Sequence, residues 1–72
     1  MDKKTIDNNY QYHAPSEEQA KQYAKIRQEA KRLANIVNKL CPESREKSLS
    51  LTKLEEVVMW ANASIARNSE AE

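Results

Sequence analysis

The sequence predicts an all-α protein, an antiparallel helical hairpin with a short N-terminal arm that assembles into a homo-oligomer. Three observations support this prediction: the chain has no glycine and only two prolines, its apolar residues recur in steps of three and four, and one late segment is apolar on every side. Steps of three and four place apolar side chains on one face of an α-helix. Nothing in the chain reads as a strand, so we expect helices alone.

Pro15 and Pro42 divide the 72 residues into segments. We expect an arm over residues 1–15, a helical hairpin domain over residues 16–68 and a polar tail over residues 69–72. The arm is rich in asparagine and lysine, a composition that favours an extended or disordered chain except where its aromatic rings pack. The folded part of the protein is therefore expected to begin after the first proline.

The first long helix is predicted to begin at Ser16, an N-cap residue, and Gln19 three residues later completes a capping box. Its apolar face is predicted from side chains in steps of three and four: Tyr23, Ile26, Ala30, Leu33, Val37 and Leu40. Lys39 and Pro42 mark the end of the helix. The short link that follows predicts an antiparallel neighbour.

The second helix is predicted to begin at the N-cap Ser44 and to carry two stripes of side chains. The apolar stripe, expected to face the first helix, is Leu51, Leu54, Val58, Ala61 and Ile65. A mostly polar stripe beside it is Ser48, Thr52, Glu55, Met59 and Asn62. Two interpretations of the polar stripe stay open, close packing of helices and hydrogen bonding to a ligand.

Residues 57–61 of the second helix are consecutive and apolar, so on a helix they point in every direction. One neighbouring helix covers only one side of them, and a chain of this size has a marginal core of its own. Val57, Met59 and Trp60 are therefore predicted to lie at an interface between subunits. With one cysteine and one histidine the chain can form neither an internal disulfide nor a four-ligand zinc site, which leaves self-association as the source of added stability.

Charge and composition exclude several classes of function. Twelve basic and eleven acidic residues give a net charge of +1, so we expect no DNA partner. No stretch reaches the roughly 20 apolar residues of a membrane span, so we expect no membrane partner. Without glycine there is no phosphate-binding loop, and the single histidine does not complete a catalytic triad. We expect a binding protein without enzymatic activity, cofactor or metal.

Two features favour an anionic ligand. Arg45 lies in the first turn of the second helix, where unpaired backbone N–H groups favour a phosphate, although an exposed surface turn also explains an arginine there. Basic side chains also cluster on the first helix: Lys25, Arg27, Lys31 and Arg32. Such a cluster is usually a solvated face, but rings beside cations are how proteins hold unpaired bases. Tyr10, Tyr12 and Tyr23 supply those rings.

Residues 44–67, with residues 12–15 and 23–27, resemble the phage family of anti-CBASS cyclic-nucleotide sponges, whose helical hairpin is shared with Thoeris anti-defence proteins. The resemblance covers about residues 10–68. Its most specific runs are Ser-Arg-Glu-Lys-Ser-Leu, Leu-Thr-Lys-Leu-Glu-Glu and Met-Trp-Ala-Asn. Ser50 departs from the pattern, since alanine is expected there.

The resemblance implies a homohexamer, a dimer of trimers, that captures cyclic oligonucleotides in the cytoplasm of the infected bacterial host and blocks antiphage signalling without degrading them. By this resemblance Tyr12 stacks on a base of a cyclic dinucleotide such as cyclic GMP-AMP, and Arg27 binds the same ligand from the first helix. Tyr10 is the alternative to Tyr12. A second type of pocket, on the threefold axis, takes cyclic trinucleotides, and its candidate residues are Arg45, Thr52 and Arg67.

Two other functions stay open. The chain also fits a small helical module that binds another protein through Trp60 and the side of the helix that carries Met59, which predicts a monomer or dimer with Trp60 exposed. A nucleic-acid-binding hairpin would use the basic cluster of the first helix, but the nearly neutral net charge counts against it.

Overall fold

The computed structural model describes residues 1–68, which contain the helices α1 (Lys3–Asn9), α2 (Glu17–Leu40) and α3 (Arg45–Asn68). Those residues contain no strand, so the predicted all-α fold class is confirmed. The predicted polar tail, residues 69–72, lies outside the described residues. Along the described stretch, every helix is too short or too polar to cross a membrane.

The helices α2 and α3 are antiparallel, as two hydrogen bonds between them show. Each bond joins the start of one helix to the end of the other. At one end of the hairpin, Gln19 Nε2 donates to the carbonyl oxygen of Ile65 over 3.3 Å. At the other end, Lys47 Nζ donates to the carbonyl oxygen of Asn38 over 3.0 Å. Each bond ends at a carbonyl oxygen in the last turn of the other helix, so both ends of the hairpin are tied together.

Side-chain caps fix where α2 and α3 begin, as the sequence predicts. Ser16 Oγ accepts from the backbone N–H of Gln19, and the Gln19 side chain accepts from the backbone N–H of Ser16, which completes the capping box. Ser44 Oγ accepts from the backbone N–H of Lys47 over 3.1 Å. Cys41 ends α2 with an extended backbone, as a residue before proline prefers, and the chain then turns back.

The seam between α2 and α3 contains most of the predicted apolar residues. All five residues of the predicted α3 stripe are half-buried. The half-buried residues of the predicted α2 face are Tyr23, Ile26, Ala30 and Val37. Leu33 and Leu40, the other two residues of that face, are 48% and 72% exposed in the single chain. Residues spaced three and four apart form a broad face on a helix, and one neighbouring helix covers only part of that face.

The described part of the chain contains no fully buried apolar side chain. The molecule measures 44 × 29 × 15 Å, and a helix with its side chains is about 10–12 Å thick, so the hairpin is a single layer of helices. Val57, Met59 and Trp60 lie on the surface of this single chain, with exposed fractions of 58%, 63% and 65%. A cover for these side chains would have to come from outside the chain.

The arm differs from the prediction of an extended or disordered segment, because it contains α1. Local interactions stabilise this short helix: Asp2 Oδ1 accepts from the backbone N–H of Thr5 over 2.9 Å as an N-cap, and Lys3 pairs with Asp7 one turn later, also over 2.9 Å. The prediction for the arm used its overall composition, which contains no information about individual positions. It therefore missed the cap at Asp2 and the ion pair between Lys3 and Asp7.

Replacing Ser16 with alanine should destabilise the fold by about 1 kcal/mol, because the substitution removes the acceptor for the Gln19 N–H. Urea unfolding followed by circular dichroism, at one fixed protein concentration, measures the loss. Ser50→Ala is the matched control: Ser50 is exposed inside α3, and its hydroxyl donates to the Lys47 carbonyl of the same helix. We expect a change within about 0.5 kcal/mol for the control. Equal losses in the two variants would contradict the capping role.

Candidate functional site

One face of the hairpin carries two open grooves. The first, the arm groove, has a volume of about 400 Å³ and lies between the arm, the start of α2 and the end of α3. Its lining includes Tyr12, His13, Tyr23, Asn62, Ala63, Ala66 and Arg67. The second, the seam groove, has a volume of about 520 Å³ and lies between α2 and α3. Its lining includes Arg27, Lys31, Asn38, Leu51, Leu54, Glu55 and Val58.

Helical spacing places the two grooves end to end. Tyr23 of the arm groove and Arg27 of the seam groove are four residues apart on α2, and Asn62 and Val58 are four residues apart on α3. Residues four apart lie on the same side of a helix, separated by about 6 Å along its axis. A ligand can therefore extend from one groove into the other along this face.

Two hydrogen bonds hold the arm against the end of α3. Asn8 Nδ2 donates to the carbonyl oxygen of Arg67 over 3.1 Å. The ring of His13 contacts the carbonyl oxygen of Asn8 through Nε2 over 2.8 Å. Because a carbonyl oxygen only accepts, His13 Nε2 carries the proton of this bond. The two contacts bring His13 and its neighbour Tyr12 to the arm groove.

The arm groove combines aromatic rings with a cation, and among the described residues no carboxylate lines it. Tyr23 is half-buried, whereas Tyr12 is 83% exposed, so its ring is accessible to a flat ligand. Ala63 and Ala66 contribute only methyl groups on the α3 side, which leaves the groove open. Stacking on rings and pairing with the guanidinium of Arg67 suit a ligand that contains both a base and a phosphate.

Asn62 lines the arm groove, and its side-chain amide has a buried oxygen that lacks a hydrogen bond within the described chain. Its Oδ1 atom is buried, and no donor within residues 1–68 bonds to it. A buried acceptor without a partner costs about 1–3 kcal/mol of folding free energy.

The seam groove carries the unpaired part of the basic cluster. Lys25 and Arg32 both bind Glu29, over 3.3 Å and 3.0 Å. The hydrogen bond from Lys25, together with the charges of Lys25 and Arg32, holds the pKa of Glu29 below its usual value. Arg27 and Lys31 line the seam groove, and neither makes an ion pair within the described chain. Within the basic cluster, these two cations are therefore the ones that have no ion pair in the described chain.

The residues predicted for the dinucleotide pocket lie on the same face of the hairpin but in different grooves. Tyr12 lines the arm groove, and Arg27 lines the adjoining seam groove. Tyr10, the alternative to Tyr12, is 87% exposed at the end of α1 and lines neither groove. The structure thus distinguishes the two arm tyrosines by position.

The residues predicted for the trinucleotide pocket are spread along α3. Arg67 lies in the arm groove, whereas Arg45 and Thr52 are exposed and line neither groove. Arg45 and Arg67 are 22 residues apart on this helix, which corresponds to about 33 Å. One chain therefore cannot bring both arginines to one pocket. The hydroxyl of Ser44, next to Arg45, is already engaged, because it donates to the Pro42 carbonyl oxygen and accepts from the Lys47 N–H.

Sequence reasoning did not assign His13 or Asn62 to the candidate site. The position of His13 depends on its bond to Asn8, which no pattern in the arm reveals. For Asn62 a signal existed, since it belongs to the polar stripe beside the apolar seam. The stripe alone did not show that this side chain, unlike Ser48 and Thr52, lies in a groove.

The family model described as Acb2/Tad1, hairpin domain, matches residues 1–66. The match spans both grooves up to Ala66 and includes the whole arm. The match confirms the family that was predicted from the sequence of residues 44–67. A comparison with curated proteins and a comparison with solved structures each gave no match.

Replacing Asn8 with alanine should release the arm, because the substitution removes its bond to the end of α3. Cleavage by chymotrypsin after Tyr10 and Tyr12 should then become about two to ten times faster, since one hydrogen bond contributes about 0.5–1.5 kcal/mol and cleavage follows the population of the open form. Asn9→Ala is the matched control, because the Asn9 side chain contacts the Met1 sulfur over 3.9 Å. Equal cleavage rates in the two variants would show that Asn8 does not hold the arm.

Proposed function

We propose a function from one premise: the chain belongs to the Acb2/Tad1 hairpin domain family, which implies an anti-defence role. The protein would bind cyclic oligonucleotide second messengers and sequester them without degrading them. It would act in the cytoplasm of the infected bacterial host, where it would keep the messenger from its effector and block CBASS antiphage signalling. The observation that supports this most directly is the arm groove, which places tyrosine rings and an arginine together.

The two grooves fit the parts of a cyclic dinucleotide, which has two bases and two phosphates. In our proposal Tyr12 stacks on one base at the rim of the arm groove, a contact worth about 1–3 kcal/mol. Arg27, about one turn beyond Tyr23 on α2, pairs with a phosphate through its planar guanidinium. The accessible ring of Tyr12 and the absence of an ion pair at Arg27 within the described chain support these assignments.

Sequestration requires affinity and no bond breaking. A Kd near 1 nM corresponds to about −12 kcal/mol, which two stacked bases and two paired phosphates can supply. The linings of both grooves contain one carboxylate, Glu55 in the seam groove, and one imidazole, His13, whose Nε2 is already bound to a carbonyl oxygen. This sparse set of proton-transfer groups supports a binding protein rather than an enzyme.

The proposed assembly is a homohexamer, arranged as a dimer of trimers, in which neighbouring subunits cover Val57, Met59 and Trp60. The exposure of these side chains in the single chain supports an interface there. Arg45 and Arg67 lie at opposite ends of α3, so only different subunits could bring them to a shared pocket. In this proposal such a pocket binds a cyclic trinucleotide, with the hydroxyl of Thr52 as a further contact.

The same exposed surface also favours a second function, a helical module that binds another protein. Trp60 and Met59 would then be the side chains that the partner covers. The two functions differ in the state of the protein by itself. A monomer or dimer with an accessible Trp60, and with no uptake of cyclic oligonucleotides, would favour the interaction module over the sponge.

Tyr12→Ala should weaken the binding of cyclic GMP-AMP by about 10- to 100-fold, because the substitution removes the ring that stacks on a base. Isothermal titration calorimetry of the purified protein measures the loss. Tyr10→Ala is the matched control, since Tyr10 lines neither groove, and we expect its affinity to match that of the unaltered protein. Arg27→Ala should also weaken binding, through the lost phosphate contact.

The same titration distinguishes capture from catalysis. Denaturing the complex should release cyclic GMP-AMP chemically intact, as detected by liquid chromatography and mass spectrometry. Hydrolysed product would make the protein an enzyme. Unchanged affinity in both Tyr12→Ala and Arg27→Ala would show that the pocket lies elsewhere in the protein.

A further inference from the structure

We infer that His13 is a positioning residue of the arm groove: its ring fixes the backbone that carries Tyr12, so the tyrosine is already held at the groove when a ligand arrives. This inference rests on the proposed function, since it concerns the tyrosine that stacks on a base. It starts from the one hydrogen bond that a side chain of residues 10–15 makes in the described chain. In this bond His13 Nε2 donates to the carbonyl oxygen of Asn8 over 2.8 Å.

Tyr12 has no anchor of its own in the part of the chain that the structure describes. Within residues 1–68 it makes no hydrogen bond, and its ring is 83% exposed. Residues 12–16 also lie outside regular secondary structure. A ligand that fixes such a residue has to offset the loss of its conformational entropy, unless the free protein already holds it in place. Any such restraint on Tyr12 has to act through its neighbours in the chain.

The two neighbours of Tyr12 both donate to the carbonyl oxygen of Asn8. The backbone N–H of Gln11 donates over 3.4 Å from one side, and the ring of His13 donates over 2.8 Å from the other. A carbonyl oxygen has two lone pairs and can accept both bonds. The two bonds close the chain into a turn that has Tyr12 between the donors. The bond from His13 is the shorter of the two, and its ring is half-buried.

The turn is held at both of its ends. At the α1 end, the side chain of Asn8 donates to the carbonyl oxygen of Arg67 over 3.1 Å and so joins the turn to α3. At the α2 end, Pro15 has a fixed φ angle and restricts Ala14 to an extended backbone. His13 directly precedes this stiff pair, so its bond to Asn8 joins the α2 end of the segment to the α1 end. Loss of the ring would free the tyrosine while both ends of the segment stay in place.

His13→Ala should weaken the binding of cyclic GMP-AMP about two- to tenfold in calorimetric titrations, because the variant loses one hydrogen bond that holds the turn. His13→Gln should bind nearly as tightly as the unaltered protein, since its amide nitrogen can replace Nε2 as the donor. Tyr10→Ala is the control within the arm. Tyr10 lines neither groove and its side chain makes no hydrogen bond within residues 1–68, so its loss should leave the affinity unchanged.

A double-mutant cycle distinguishes positioning from a direct contact with the ligand. In Tyr12→Ala there is no ring to position, so adding His13→Ala should lower the affinity no further. A contact that His13 itself made with cyclic GMP-AMP would be lost in both backgrounds, and the two effects would add. Native mass spectrometry of each variant should show the same assembly as that of the unaltered chain.

Several results would overturn the inference, and each differs from a failure of the proposed function. Unchanged affinity in His13→Ala or in Tyr12→Ala would show that no ring is positioned for the ligand. Additive losses in the double variant, or a loss in His13→Gln as large as in His13→Ala, would assign the imidazole to the ligand itself. A smaller assembly in His13→Ala would assign it to a contact between subunits. Binding of no cyclic oligonucleotide by the unaltered protein would reject the proposed function and this inference with it.

Discussion

Two helices packed along one seam cannot enclose a core, and this constraint determines how the hairpin is held together. Among residues 1–68 every apolar side chain keeps some contact with solvent, and the one buried residue is Lys47. Its ammonium group binds the carbonyl of Asn38, while Gln19 ties the other end of the hairpin to Ile65. Polar bonds at the two ends thus supplement a half-buried seam. Such a fold gains stability from whatever covers its faces, whether a second copy or a ligand.

The same constraint explains why the candidate site is open and formed by several elements. The arm meets α3 through hydrogen bonds at Asn8 rather than through a broad apolar contact. It therefore covers little of α3 and leaves a groove beside Tyr12 and Tyr23. Segments held by few buried contacts open most easily, a property that suits the entry of a ligand.

The sequence predicts the elements whose signals are local and fails where the outcome depends on distant contacts. The caps Ser16 and Ser44 define where the long helices begin, because cap residue and helix start are adjacent in the chain. The periodic pattern marks the apolar face of α2 but does not encode how many neighbouring helices cover it, and Leu33 and Leu40 are exposed in the single chain. The candidate site is harder still: the bond that brings the arm to α3 joins residues 59 positions apart. Tyr12 lines the groove from an arm that this bond helps to hold in place.

The dependence of stability on protein concentration tests most directly the proposal that hairpins cover one another. Thermal unfolding by circular dichroism, over a hundredfold range of concentration, should be paired with sedimentation equilibrium of the same samples. We expect the Tm to rise with concentration, because unfolding of an oligomer releases several chains, and we expect a sedimenting mass that is a multiple of 8.3 kDa. A Tm that does not change, together with the mass of a single chain, would contradict the proposed assembly and the pockets between its subunits.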